Sequence, residues 1–412
     1  GWQQIYINHP AIGILSDLSL PDDTLLNYPR QIALLLPLSG NNASAGNAIR
    51  NGFLGAYFSA VSGLESQQQI RVYDINDSDD ASRAYLQAVA EGADFVVGPL
   101  LRRNVGDLAT EMILPIPVLT LNYLAGDVPT PPGFYQFALS PEDEAASAAG
   151  RAIDDGQLRA VAMVPANDWG RRVLTSFATE FEARGGTLLD YQNYEPAVQD
   201  FAFEIEGLMS LSQSAQRYQR LRANIGGPLQ FDPRRRQDVD FVFLAADAKA
   251  GRLIKSQLKF HYSGELPVYS TSFIYSLDGR SDSDLNGIMF ADTPWTISPP
   301  AWIADYPDLY ADHWPAQKRQ ARLHAMGYDA YHLVGSLYSS GEQPMGEIIG
   351  ATGRLYLDGD GRVHRKLAWA RFENGVPVPL PEFDEFQFML DELGTDPAHE
   401  QTGPWREMPL ER

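Results

Sequence analysis

A short apolar run, a turn of small residues and an amphipathic helix recur along this chain, and that rhythm restricts its fold more than any other feature. Ile32-Ala-Leu-Leu-Leu36 is apolar without alternation and ends at Pro37, the pattern of a strand covered on both faces. Pro37-Leu-Ser-Gly40 makes a turn, and 45–61 carries Ile49, Phe53, Ala56 and Tyr57 at helical spacing. The unit returns as a strand over 69–73, an acidic loop over 74–80, a helix over 81–91 and a strand over 94–97. A helix over 105–112 and a strand over 116–120 close this series. A second series has helices over 142–154, 171–184 and 249–260, with strands over 159–164, 186–191, 239–245 and 267–270. Polar helical sequence over 198–236 interrupts it. Strands and helices alternating on this rhythm predict an α/β chain with two lobes, each a mostly parallel sheet flanked by helices.

The rest of the chain is assigned around that frame. Residues 1–29, with Pro10, Pro21 and Pro29, read as a linker that opens on a short helix anchored by Trp2, Tyr6 and Ile7. After a helix over 328–338, residues 354–364 read as a β-hairpin and 367–372 as a strand. Residues 381–412 are acidic and form a partly ordered tail, with Phe383, Phe386 and Phe388 packing back. Three crossings between lobes are expected, with lobe one at 30–140 plus 296–342 and lobe two at 141–295 plus 343–380.

Charge and cysteine content exclude whole classes of chemistry. Of 412 residues, 53 are acidic and 32 basic, a net charge of −21 that repels phosphate backbones and argues against a nucleic-acid partner. With no cysteine there is no disulfide, no thiolate metal site and no thiol nucleophile. No apolar run approaches the roughly 18 residues of a membrane helix. The start, GWQQIYINHP, lacks the basic and apolar regions of a signal peptide, so the chain reads as a mature or truncated piece.

Motifs that imitate catalytic or metal sites fail on their details. Asp74, Asn76, Ser78 and Asp80 space like calcium ligands, yet Asp79 stands where the loop needs Gly and Tyr85 where it needs a bidentate Glu. A capped helix start is the better reading. Asp358-Gly-Asp-Gly361 suits a tight hairpin turn. Ser256-Gln-Leu-Lys259 matches S-x-x-K, but Leu253, Ile254 and Leu258 give it the core face of an ordinary helix and no Lys-Thr-Gly accompanies it. No two histidines stand four apart, and His324 and His332 read as a surface and a groove residue of neighbouring helices. Walker A, G-x-S-x-G and dinucleotide fingerprints are absent, so no catalytic residue, metal or cofactor is assigned. An acid pair remains open among so many carboxylates.

The positive signals lie where strands end. Ser39, Gly98, Leu100, Thr120 and Asn122 fall in first-lobe loops of this kind, and Trp169 and Asp247 in matching second-lobe loops. Open α/β sheets bind ligands there, so these residues are the cleft candidates. Bulky Leu100 and Leu101 favour a filled cleft over a ligand site. Arg234, Arg235 and Arg236 form a concentrated positive run on an acidic chain; it reads either as a solvated approach to the next strand or as a partner contact.

Taken together, Ile32 to Gly40, Ala45-Gly-Asn-Ala-Ile-Arg-Asn-Gly-Phe53, Ala93-Asp-Phe-Val-Val-Gly-Pro99 and the following Leu-Leu-Arg-Arg-Asn-Val105 resemble type I periplasmic-binding-protein folds. The block Asp232-Pro-Arg-Arg-Arg-Gln-Asp-Val-Asp240 narrows the resemblance to the carboxyl-terminal domain of the LpoA/LppC lipoprotein family, over roughly 30–380. That resemblance implies a non-catalytic, outer-membrane-anchored lipoprotein domain in the periplasm. Its partner would be a bifunctional class A penicillin-binding protein, whose peptidoglycan transpeptidase it stimulates by direct contact; peptidoglycan is a further candidate partner. The lipid anchor and a helical amino-terminal domain would lie outside this chain. The rival reading is a periplasmic solute-binding protein closing its cleft on a small polar or amino-acid-like ligand.

Overall fold

The computed structural model describes residues 28–61, 68–76, 79–110, 113–126, 128–225, 234–278, 282–340 and 345–381. The expected amino-terminal helix and almost all of the acidic tail fall outside these residues. Two sheets account for the described strands.

The first sheet grows from β1 (Gln31–Leu36), buried at every position as its unbroken apolar run requires. It pairs in parallel with β2 (Gln69–Asp74) on one side and β3 (Phe95–Val97) on the other. Parallel strands β4 (Val118–Thr120) and β5 (Phe134–Phe137) extend the β3 side. Helices α1 (Ala43–Val61), α2 (Ala81–Ala90) and α3 (Arg102–Ala109) are the crossovers. As expected from the acidic loop, Asp80 caps α2 by accepting from the Arg83 amide at 3.2 Å.

The chain then leaves for the second sheet. Helix α4 (Pro141–Asp154) leads to β6 (Arg159–Pro165), α5 (Asp168–Ala183) and β7 (Thr187–Tyr194). Next come α6 (Ala202–Leu208), α7 (Leu211–Ile225), β8 (Phe241–Leu244), α8 (Ala248–Phe260), β9 (Val268–Ser270) and β10 (Ile288–Asp292). The strands β7-β6-β8-β9-β10 run parallel, with α4 and α5 packed on one face and α6 and α8 on the other. Phe177, lying flat on Phe243 at 4.0 Å between ring centroids, is the tightest aromatic contact under α5.

A return to the first lobe follows, through α9 (Pro294–Ile297), α10 (Tyr306–His313) and α11 (Ala321–Ser340). Helix α11 packs against α1 with little between the backbones. A Cβ on Gly52 would fall 1.9 Å from the His324 carbonyl oxygen, and one on Gly327 would fall 2.0 Å from that of Ile49.

The last strands correct the expected lobe boundary. β11 (Ile348–Ile349), β12 (Arg354–Leu357) and β13 (Arg362–Lys366) do form the hairpin read from sequence, but they extend the first sheet, not the second. β13 lies parallel to β5, with Arg362 opposite Gln136 and Val363 opposite Phe137. Only after Leu367 does the chain cross again, to place β14 (Ala368–Glu373) and β15 (Val376–Leu380) on the β10 edge of the second sheet. The third crossing thus lies more than twenty residues beyond 343, because a hairpin's own alternation carries no mark of the sheet its outer edge will join.

A second correction concerns the histidines. His324 and His332 both belong to α11, and His324 is fully buried, not at the surface. It is enclosed by Trp295, Tyr306, Tyr310 and Trp314, at centroid distances of 5.5, 6.1, 4.2 and 5.7 Å.

Candidate functional site

The cleft candidates do lie at or just beyond the carboxyl ends of strands, but the polar groups of Ser39, Thr120 and Asn122 are engaged by the chain itself. After β1, the Leu38 and Ser39 amides both donate to Asp74 Oδ1, at 2.7 and 3.2 Å, and Ser39 Oγ accepts from Asn76 at 2.8 Å. The Ser39 side chain first, and then the Leu38 and Ser39 amides, hold the Asp74 carboxyl below the usual range against a smaller effect of burial. Thr120 is buried, with its hydroxyl 3.0 Å from the Asn122 carbonyl and 3.2 Å from that of Tyr135. Asn122 donates to the Leu100 carbonyl at 3.2 Å and accepts from the Tyr123 amide at 3.0 Å.

Gly98 has a different task. Its φ is +99°, and a Cβ there would stand 2.1 Å from the Leu35 carbonyl oxygen, so it is glycine because two backbones meet. Leu100 is half-buried against the first-lobe core. On the other lobe, exposed Asp247 caps α8 by accepting from the Ala250 amide at 2.7 Å. Trp169, in the first turn of α5, rests partly on the core and meets the exposed ring of Phe273 at 5.1 Å.

What occupies the junction is the first turn of α4. Ser140 caps it through the Asp143 amide, Pro141 starts it, and three carboxylates follow in succession at Glu142, Asp143 and Glu144. Acids suit a helix amino terminus, where unpaired amides and the helix dipole favour negative charge. Here each acid also meets a group from the first lobe. Glu142 accepts from Arg172 on α5 at 2.6 Å and lies 3.7 Å from Arg102 on α3. Burial pushes its carboxyl up, but the two arginines and its own backbone amide together hold it below the usual range. Asp143 lies 2.9 Å from the Tyr123 hydroxyl, which is also 3.0 Å from the Val363 carbonyl. Burial, then the Asp143 charge, push the Tyr123 phenol far above its usual range.

Glu144 is the most enclosed of the three. It accepts from the Ser272 amide at 2.9 Å and the Ser272 hydroxyl at 3.0 Å, with Arg365 of β13 at 4.0 Å. Burial raises its carboxyl above the ordinary range despite Arg365 and Arg322. A second bridge stands beside it. Arg322 of α11 grips Asp292 at the end of β10 with two bonds of 2.8 and 2.6 Å and donates to the Ser272 and Tyr275 carbonyls at 2.9 and 3.0 Å. Two oppositely charged forks buried in this way orient each other strongly.

Sequence reasoning missed this hub. The string Ser140-Pro-Glu-Asp-Glu144 does carry the cap, proline and acidic-turn signature of a helix start, but its partners lie on α3, α5, α11 and β13, far apart in the chain. Arg234, Arg235 and Arg236, expected as partner contacts, divide in the structure. Arg235 is bound to Glu265 at 2.9 and 2.7 Å, and Arg236 to Asp238 at 2.7 and 2.8 Å; Arg234 is exposed. Among the described residues no group of three His, Asp or Glu side chains is placed to hold a metal ion, and no helix is long and apolar enough to cross a membrane.

Comparison with known proteins adds the following. The family model described as "LppC putative lipoprotein" matches residues 1–375. The "Penicillin-binding protein activator LpoA" of Vibrio antiquarius is 31% identical over 350 residues, which cover 83% of this chain and 57% of the relative. The chain therefore spans somewhat over half the length of such relatives. The solved "LpoA (YraM) C-domain from Haemophilus influenzae, a regulator of PBP1A" is 25% identical, with a TM-score of 0.65, covering 85% of this chain and all of that one. A solved "putative branched-chain amino acid ABC transporter" protein from Chromobacterium violaceum is also 25% identical, with a TM-score of 0.60, covering 83% of this chain and 99% of that one.

Proposed function

The chain belongs to the LppC lipoprotein family, and from that membership we propose that it is the non-catalytic regulatory part of a penicillin-binding protein activator. It acts by direct contact with a bifunctional class A penicillin-binding protein and raises the peptide cross-linking activity of that enzyme. The full-length protein resides in the periplasm, held at the outer membrane by a lipid outside this chain. Relatives named as penicillin-binding protein activators support the partner class.

The observation that carries the reading is the α4 turn. In a solute-binding protein, a helix amino terminus facing the cleft is a natural seat for a ligand carboxylate. Here that seat holds Glu142, Asp143 and Glu144, which repel an added carboxylate and tie the lobes together through Arg102, Tyr123 and Arg365. A frame fixed in this way suits a docking body better than a closing trap. The partner's active arrangement is then favoured by as much as it binds this frame more tightly than the inactive one does.

The absence of cysteine makes the test direct. Two introduced cysteines, one on each lobe, carry spin labels for distance measurement. The reading expects one narrow interlobe distance, unchanged by mixtures of amino acids and unaltered in width by them. A shift of several ångströms on adding such a solute would favour the solute-binding reading instead.

A further inference from the structure

Helix α7 is unlike the other helices of the second lobe. Among its described side chains those buried are Leu211 and Ser214, both in the first turn, and from Gln216 to Asn224 every residue is exposed except half-buried Tyr218. A helix polar on nearly all sides gains little from its own domain and is commonly stabilised by what it meets. Its charge is also contrary to the rest of the molecule. Residues 207–237 hold six arginines against the single carboxylate of Asp232, in a chain of net charge −21. Arg217, Arg220, Arg222 and Arg234 have no ion-pair partner among the described residues, while Arg235 and Arg236 are neutralised by Glu265 and Asp238.

Those two neutralised arginines place the basic helix beside an apolar edge. The Arg236 amide donates to the Met209 carbonyl at the end of α6, and Arg235 ties the same irregular segment to Glu265 in the loop after α8. That loop carries Tyr262, 53% exposed, and α8 ends on Phe260, 79% exposed. His261 bridges back to α6: its ring meets Phe260 edge-on at 5.2 Å, and its Nδ1 lies 3.7 Å from Glu206, one turn along the helix from Phe203. Phe203 is 84% exposed. Unpaired arginines beside exposed aromatic rings are the residue types that dominate protein interfaces.

We propose that α7 and Arg234, with the aromatic edge of Phe203, Phe260 and Tyr262, dock an acidic surface of the partner protein; the inference rests on the reading above that the chain works by protein contact. Charge complementarity selects this occupant. A long polyanion or an anionic membrane would meet the repulsion of the whole chain, whereas a compact acidic patch meets only this face. The aromatic edge supplies apolar area that a phosphate backbone would leave uncovered.

The test compares the binding of the intact 412-residue chain to a purified class A penicillin-binding protein from the same source at low and high salt. One variant carries Arg217→Glu, Arg220→Glu and Arg222→Glu; a second carries Gln at the same positions, which keeps helix propensity and removes only the charge. Binding about tenfold weaker for the Glu variant, with a flatter salt dependence for the Gln variant, is expected. Wild-type binding matched by both variants would overturn the docking surface and leave the regulator reading intact. Failure of the wild-type chain to bind at low salt would overturn the regulator reading and this inference with it. Arginine-dependent binding to anionic vesicles, with none to the synthase, would also overturn it.

Discussion

Replacing His324 with Phe should remove a defined part of the protein's sensitivity to acid. His324 is fully buried in a box of Trp295, Tyr306, Tyr310 and Trp314, and neither ring nitrogen has a well-formed hydrogen bond. Burial pushes the imidazole down to about 4 from its usual 6.5, opposed only in part by the Ala48 backbone. Between those values the unfolded chain takes up a proton that the folded one refuses, so stability falls as pH drops. The loss amounts to about 2 kcal/mol by pH 5 and about 3 kcal/mol by pH 4, fully absent above the unfolded pKa.

Asp329 works in the opposite sense. Burial raises its carboxyl from 3.8 to about 6, against donors from the Ala351 and Thr352 amides and the Thr352 hydroxyl. The folded state then holds a proton that the unfolded state has released, and stability rises as pH falls through that window. The wild-type curve is the sum of both slopes, so the difference between wild type and His324→Phe isolates the histidine. Urea unfolding followed by far-ultraviolet circular dichroism, at neutral pH and down to pH 4, reads it. Parallel pH profiles for the two proteins would refute the reasoning.

Three further outcomes follow from particular contacts. Arg322→Met leaves the buried Asp292 carboxylate without its guanidinium and should cost about 3–5 kcal/mol, seen as a lowered melting temperature. Gly327→Ala forces a methyl to 2.0 Å from the Ile49 carbonyl and should destabilise by about 1–3 kcal/mol, whereas Gly106→Ala in α3 meets nothing within 4 Å and should stabilise by about 0.5–1 kcal/mol, both read by thermal unfolding. Glu142→Gln should change stability by less than about 1 kcal/mol, since its arginine partners are partly exposed, yet broaden the interlobe distance distribution.

Much of this architecture is legible in the sequence, and the parts that are not share a cause. Runs such as Ile32 to Leu36 and Phe241 to Leu244 announce buried parallel strands because covering both faces demands unbroken apolar residues. Asp80 reads as a cap and is one, since capping is local, whereas Asp247, read as a cleft candidate, caps α8. β5, β10 and β15 carry no such mark: Phe134-Tyr-Gln-Phe137 is short, Ile288-Met-Phe-Ala-Asp292 follows irregular sequence, and Val376-Pro-Val-Pro-Leu380 carries prolines that only an edge strand tolerates.

The junction was less legible still. Ser39, Thr120 and Asn122 are cleft candidates in the sequence because loops at strand ends bind ligands, yet whether a hydroxyl or an amide is free depends on its neighbours in space. Arg102, Arg172, Arg322 and Arg365 each look like solitary surface charges in one dimension. Only the meeting of α3, α5, α11 and β13 around the α4 turn gives them a common role.

The most direct test of the central claim is peptide cross-linking by a purified class A penicillin-binding protein on lipid-linked substrate, measured while this chain is titrated in. The account predicts a saturable rise in cross-linked product that the chain alone never produces. Saturable binding without any rise, or no binding at any concentration, would contradict it.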